Sequence, residues 1–157
     1  MRTAVVLSSC LAAFFLTVAL PVRGAETGRP TSILVEDAWA RQAPMMPAMG
    51  HMHGGTGNGA VYVTLRNTGP DPDALVGAAS DTAETVELHE TIRDGDVMRM
   101  RPVVKMEVPA GGTLVMKPGG LHVMLINLKR DLTPGERVHV TLSFERGAPV
   151  SLEAPVR

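Results

Sequence analysis

The chain has 157 residues and a formal net charge of −1, and only 3% of its residues are aromatic. A chain of this length suffices for one domain with its own, largely aliphatic core. Because it has no basic stripe interleaved with aromatic residues, nucleic acid is not an expected partner.

Residues 1–24 are predicted to be a cleavable secretory signal. A basic residue precedes an apolar run, and small residues suit cleavage after Gly24 or, one position later, after Ala25. Two alternatives stay open, a retained membrane anchor and a lipoprotein modified at Cys10. Cleavage would remove the only cysteine and two arginines but no acid, which moves the net charge from −1 to −3. Residues 25–157 would then form a periplasmic domain without a disulfide or a stable membrane insertion.

Beyond this signal, apolar and polar residues alternate with period two, and no helical stripe is found. Turns rich in Gly, Pro, Asn and Asp separate the alternating segments. In chain order, strands are predicted at or near residues 33–41, 59–66, 74–78, 85–91, 96–100, 103–106, 112–116, 121–128, 137–144 and 150–156. Short strands at this spacing are typical of an all-β antiparallel sandwich or barrel in a single domain.

Residues 43–58 break this alternation and are predicted to form a loop between the first two strands. The segment APMMPAMGHMHGGTGN has too many glycines and prolines for a regular element. It concentrates six soft metal ligands, which are Met45, Met46, Met49, His51, Met52 and His53.

A β-hairpin is predicted at Asp94-Gly95, a strong turn signal. This hairpin would place His89, on one strand, alongside Met98 and Met100 on the next strand. Taken singly, each methionine is more simply interpreted as filling a gap in the core. His89 alone is more simply an exposed or hydrogen-bonded strand residue.

Apolar residues alternate with His122 and Met124 in a later strand. If the apolar residues face the core, His122 and Met124 share the opposite face, with Cα atoms about 6.6 Å apart. The pair is a weak signal by itself, because a chain with five His and ten Met yields such pairs by chance. Met106 and Met116 are predicted to pack in the core or at its rim, and His139 to face solvent.

Imidazole and thioether side chains are soft, neutral ligands that suit Cu(I) better than Mg, Ca or Mn. A thioether needs no deprotonation and forms no disulfide, so it remains a ligand in an oxidising compartment. Zinc fits less well, since its sites usually combine Cys, His and carboxylate. A blue-copper centre needs a cysteine that the mature chain lacks.

The spacing H-x10-M-x21-H-x-M joins four of these residues, namely His89, Met100, His122 and Met124. They lie within the segments ELHE (87–90), MRM (98–100) and KPGGLHVMLINLKRDLTPGERVHVTLSFE (117–145). Together these segments resemble the periplasmic CuA-site copper chaperones, often called PCuA-C proteins. The resemblance implies a cupredoxin-like Greek-key β-barrel or sandwich without a cupredoxin's own copper site. It implies that Cu(I) is held by His89, Met100, His122 and Met124. It also implies delivery to the CuA-bearing subunit of cytochrome c oxidase, sometimes alongside a Sco-type thiol protein.

The loop at residues 43–58 departs from the family's common pattern, in which this connection is short. We expect the loop to be a second, flexible copper site, where His51-x-His53 would favour Cu(II) and the methionines Cu(I). The alternative is a disordered loop with incidental methionines.

The expected function is a non-enzymatic periplasmic copper chaperone, because no nucleophile motif or pair of carboxylates around a substrate pocket is recognisable. The main alternative, favoured by the loop, is a copper-buffering or resistance protein without a dedicated acceptor. A copper-dependent redox enzyme would need an open coordination position, which four protein ligands argue against. A metal-free structural sandwich is the remaining alternative.

Overall fold

The computed structural model describes residues 32–44 and 57–157, which form two antiparallel β-sheets and no helix. The strands are β1 Ile33–Ala40, β2 Gly59–Asn67, β3 Asp73–Ala79, β4 Ala83–Asp94, β5 Val97–Pro102, β6 Met106–Val108, β7 Thr113–Val115, β8 Leu121–Leu128, β9 Arg137–Phe144 and β10 Val150–Pro155. The prediction of an all-β sandwich is confirmed. The described residues contain no helix long and apolar enough to cross a membrane.

One sheet has the order β1-β2-β8-β4-β5, with β7 also paired to β2, and the other has the order β10-β9-β3-β6. In the first sheet, β8 and β4 are interior strands with a neighbour on each side. By contrast, β5 is an edge strand that pairs only with β4 among the described strands. The outer face of this sheet is therefore formed by both interior strands and an edge strand.

The core lies between the two sheets and is aliphatic. Val61 and Val63 on β2, Val123 and Leu125 on β8, and Leu88 on β4 are all buried in it. Because successive side chains of a strand point to opposite faces, burying these residues sends the alternate residues of β2, β8 and β4 to the outer face. The candidate site described below lies on that face.

The hairpin between β4 and β5 turns one residue later than the sequence predicts. Asp94 still pairs with Val97, so Gly95 and Asp96 are the two central residues. Gly95 has a φ of 62° and Asp96 is not in the positive-φ region, which matches a type II′ turn with glycine in the first central position. The prediction of Asp94-Gly95 as the turn centre is therefore wrong by one residue.

One other strand prediction differs from the structure. The strand predicted at 103–106 instead spans Met106–Val108 and pairs with β3. Val103 donates its backbone N–H to Leu88, which extends the β4–β5 contact, while Val104 is 90% exposed. The described residues contain ten strands, one at or near each of the ten predicted segments.

Candidate metal centre

Two histidines face each other on the outer side of the first sheet. His89 on β4 and His122 on β8 are directly opposite in the antiparallel register, and their ring centroids are 5.8 Å apart. Both rings are shielded, since His122 is 3% exposed and the His89 side chain 12%. Pairing between interior strands therefore brings two predicted ligands together.

The two predicted thioether ligands flank this histidine pair. Met124 shares the face of His122 and is opposite Glu87 of β4, while Met100 of β5 is opposite Thr91. Glu87 and Thr91 are each two residues from His89 along β4, in opposite directions, so the two methionines lie on opposite sides of the histidine pair. Met100 is 57% exposed, because it lies on the edge strand.

An open cavity of about 230 Å³ lies on this face. Its lining includes Met100, His122 and Met124, but His89 is not among the lining residues. Met98, which the sequence placed on the same face as Met100, also lines the cavity, so cavity lining does not distinguish the two methionines. The rest of the lining is Arg41, Asn58, Ala60, Tyr62, Thr91, Pro118 and Gly119.

The local environment of His122 prepares one ring nitrogen to bind a metal ion. Nδ1 lies 3.0 Å from the carbonyl oxygen of Gly120; a carbonyl only accepts, so Nδ1–H donates and the neutral ring keeps its lone pair on Nε2. Burial lowers the pKa of His122, and the neighbouring His89 and Arg41 lower it further, against the opposing effect of the Gly120 hydrogen bond. The ring is therefore neutral near pH 7, which is the form that binds metal.

His89 has an unsatisfied nitrogen. Nε2 lies 2.9 Å from Oε2 of Glu87, but Nδ1 is buried and has no hydrogen-bond partner. Among the described residues it is the one buried side-chain nitrogen or oxygen in that state. Buried polar atoms are nearly always paired, so an exception calls for an explanation. A metal ion bound to this lone pair would satisfy it, and the soft donors nearby fit Cu(I).

An aromatic row continues from the histidines across the sheet. The Tyr62 ring centroid lies 6.2 Å from that of His122 and 4.5 Å from that of Trp39, to which it is paired in the register. The guanidinium carbon of Arg157 lies 5.6 Å from the Trp39 ring centroid. Sequence reasoning did not assign these residues to the site. The alternation in GAVYVTLR does predict that Tyr62 lies on the face of its strand away from the core, because the neighbouring valines face the core. It does not show which strand lies next to Tyr62.

Of the other residues discussed from the sequence, some lie in the part of the chain that the structure describes and some do not. His139 is exposed, and Met106 and Met116 are each 3% exposed, as predicted. The six residues predicted as loop ligands, Met45, Met46, Met49, His51, Met52 and His53, lie outside the described residues. On either side of that segment, Arg41 and Asn58 line the cavity.

Residues 33–156 match a family described as LpqE-like, "Putative lipoprotein LpqE-like". The chain belongs to this family. A relative from Leifsonia xyli subsp. xyli, Lxx21020, is also named as a lipoprotein and is 32% identical over 142 residues, which cover 89% of this chain and 79% of the relative. The protein RP573 of Rickettsia prowazekii is 36% identical over 99 residues, covering 60% of this chain and 53% of that one.

Solved structures similar to this member of the LpqE-like family include PCuAC domains. The copper-bound PCuAC domain from PmoF2 is 26% identical with a TM-score of 0.60, covering 82% of this chain and 95% of that domain. The Cu(I) form of DR1885 from Deinococcus radiodurans is 31% identical with a TM-score of 0.55, covering 85% of this chain and 83% of that protein. The predicted resemblance to PCuA-C proteins is therefore confirmed at the level of domain type.

Proposed function

We propose that this protein is a copper chaperone that holds Cu(I) with His89, Met100, His122 and Met124. The observation that carries the proposal is the facing pair of shielded imidazoles, one of which has a buried nitrogen without a partner. Similarity to a copper-bound PCuAC domain and to the Cu(I) form of DR1885 supports the choice of metal.

The donor set favours Cu(I) over harder ions. All four side chains are neutral when they bind, so these ligands add no charge to that of the ion. Thioethers and imidazoles are soft donors, whereas Mg, Ca and Mn prefer carboxylate and water oxygens. Zinc sites usually include thiolate or carboxylate ligands.

Release of copper would begin at Met100. This side chain is more than half exposed on the edge strand, whereas both histidines are shielded on interior strands. A thiolate or imidazole of an acceptor would therefore reach the copper from the Met100 side and displace that thioether first. We extend the proposal to the CuA-bearing subunit of cytochrome c oxidase as acceptor, with a Sco-type thiol protein as a further partner.

We also propose that the protein acts outside the cytoplasm. Its family and the Leifsonia relative carry lipoprotein descriptions. These descriptions favour a lipid-modified Cys10 as an alternative to a signal cleaved after Gly24. Mass spectrometry of the mature N-terminus separates the two. Lipid on Cys10 would rule out the cleavage site after Gly24, and an unmodified N-terminus at Ala25 would rule out the lipoprotein.

The loop of residues 43–58 is proposed as an auxiliary copper site, and its methionines and histidines are what favour the second candidate function, copper buffering. A transfer assay separates the two functions. Cu(I)-loaded protein is mixed with an apo CuA domain, a second equivalent of copper is supplied as Cu(II), and formation of the purple mixed-valence centre is followed. Formation of the centre supports the chaperone, and copper that never leaves the protein supports the buffer.

The site itself is tested by competition with a coloured Cu(I) chelator. We expect wild type to bind one Cu(I) tightly and His122→Ala and Met124→Ala to bind it much more weakly. His139→Ala is the matched control, because His139 is exposed on the other sheet. If the two site variants compete as well as the control, these residues do not form the site.

A further inference from the structure

Glu87 lies beside the histidine pair, and the proposed ligand set leaves its role open. It is on the same face of β4 as His89, two residues earlier, and is opposite Met124 in the register. Its carboxylate accepts a hydrogen bond from the ring of His89, with 2.9 Å between Oε2 and Nε2. The nearby Glu90 differs, since its carboxylate pairs with Arg101.

The carboxylate determines which nitrogen of His89 carries the proton. A carboxylate only accepts hydrogen bonds, so Nε2 must be the protonated nitrogen of the neutral ring, and the lone pair is then on Nδ1. Nδ1 is the nitrogen that is buried and without a partner. The atom left free by Glu87 is thus the atom that the fold leaves unsatisfied.

His122 has the opposite arrangement. Its Nδ1–H donates to the carbonyl oxygen of Gly120, so its lone pair is on Nε2. Each ring is held by an acceptor two residues earlier on its own segment, a backbone carbonyl for His122 and a side-chain carboxylate for His89. Only the second of these acceptors can be changed by a point substitution.

We propose that Glu87 is a positioning residue that fixes His89 in the Nε2–H tautomer, so that copper binds His89 through Nδ1 and His122 through Nε2. This inference rests on the proposed function. A carboxylate that accepts the second N–H of a ligand histidine orients the ring and raises its basicity, and its loss typically lowers metal affinity by about 10–100-fold.

Nitrogen NMR of the imidazole rings tests the assignment atom by atom. Long-range proton–nitrogen spectra of histidine-labelled protein are recorded before and after one equivalent of Cu(I). We expect the metal-induced shift at Nδ1 of His89 and at Nε2 of His122, with the exposed His139 unchanged. A ligand shift at Nε2 of His89 would overturn the inference. Absence of any shift, together with no Cu(I) affinity in the wild type, would instead overturn the proposed function.

Three substitutions separate positioning from direct ligation. Glu87→Ala removes the acceptor, and we expect Cu(I) affinity to fall about 10–100-fold and the apo spectrum of His89 to show mixed tautomers. Glu87→Gln keeps an acceptor oxygen, so we expect an affinity within a few-fold of wild type and the native tautomer. Glu90→Gln is the matched control for removing a nearby carboxylate charge and should bind as wild type does.

Two other outcomes for the Glu87 variants would overturn the positioning role. Equal losses for Glu87→Gln and Glu87→Ala would make the carboxylate itself a ligand and refute the positioning role. Wild-type affinity and a single His89 tautomer in Glu87→Ala would show that Glu87 does not set the ring. The apo spectra are informative even if copper binding is lost, because the tautomer is read without the metal.

Discussion

The interior strands β4 and β8 and the edge strand β5 contribute to the same face in different ways. The interior strands present His89 and His122, whose side chains are shielded and held by hydrogen bonds to Glu87 and Gly120. The edge strand presents Met100 at 57% exposure. Folding alone therefore holds the two histidine rings in place, whereas the exposed Met100 side chain would still have to be ordered by metal binding.

This difference has an energetic consequence. A side chain already fixed in its binding position loses little conformational entropy when it binds, whereas a free methionine loses more. We therefore expect the histidines to set the affinity for Cu(I) and the edge methionine to set how readily the ion is exchanged.

The largest effect is expected for His122→Ala. This substitution removes a neutral, pre-oriented donor from the interior of the site, and we expect Cu(I) affinity to fall at least about 100-fold, equivalent to about 2.7 kcal/mol. Chelator competition measures the loss, with His139→Ala as the control. A loss no larger than that of Met100→Leu would remove the distinction between interior and edge.

A smaller effect on affinity is expected for Met100→Leu, which keeps the side-chain volume but removes the thioether. We expect about a tenfold loss, equivalent to about 1.4 kcal/mol, because the side chain must be ordered on binding.

Met98→Leu is the matched control for Met100→Leu, since Met98 is 56% exposed on the same strand. Met98 is opposite Arg93, one step further along β4 from the histidines than Thr91, which is opposite Met100. We therefore expect Met98→Leu to bind Cu(I) as wild type does. The reverse order of losses would mean that Met98, not Met100, is the thioether ligand.

The sequence predicts the faces of the strands better than their neighbours. Alternation correctly buries Val123 and Leu125 and sends His122 to the other face, because side-chain direction is a local property of a strand. The hairpin signal correctly pairs the strand of His89 with that of Met100. The turn centre is wrong by one residue, because Asp-Gly and Gly-Asp both suit a two-residue hairpin.

Contacts between strands distant in sequence could not be derived from alternation. The pairing of His89 with His122 joins β4 to β8, and that of Trp39 with Tyr62 joins β1 to β2 across the loop. Nothing local specifies these neighbours, and only the resemblance to a family of known fold implied that the four residues converge. The orphaned Nδ1 of His89 and its link to Glu87 depend on side-chain positions that no spacing reveals.

A still smaller effect on copper binding is expected for Gly95→Ala in the β4–β5 turn. Gly95 has a φ of 62° with open space around it, so the added Cβ meets no atom but forces an L-residue into a left-handed conformation. We expect the free energy of unfolding in urea to fall by about 1–2 kcal/mol. Cu(I) affinity should fall only a few-fold, because the turn lies at the far end of the edge strand.

Gly77→Ala is the control for this turn, because Gly77 has no positive φ and its nearest neighbour would lie 4.0 Å from the new Cβ. It should leave stability almost unchanged. Equal losses in the two variants would mean that the backbone conformation of Gly95 is not the cause.

The smallest effect on the tight site is expected from replacing the loop residues 45–56 with a Gly-Ser linker of equal length. The flanking backbone is held independently, since Ala43 exchanges hydrogen bonds with Leu132 and Gly57 accepts one from Leu128. The interior histidines and the edge methionine should therefore keep their positions, and tight Cu(I) affinity should stay within about twofold of wild type, or about 0.4 kcal/mol.

Total copper bound, measured by equilibrium dialysis, should fall in the same variant if the loop is an auxiliary site. A version that changes only the six loop methionines and histidines to serine separates ligand loss from altered backbone. If that version also loses the tight site, the loop supplies ligands to it, and the division between shielded histidines and exposed methionine no longer accounts for copper binding. If neither version loses any copper, the loop is not a copper site, and copper buffering loses the feature that favours it over transfer.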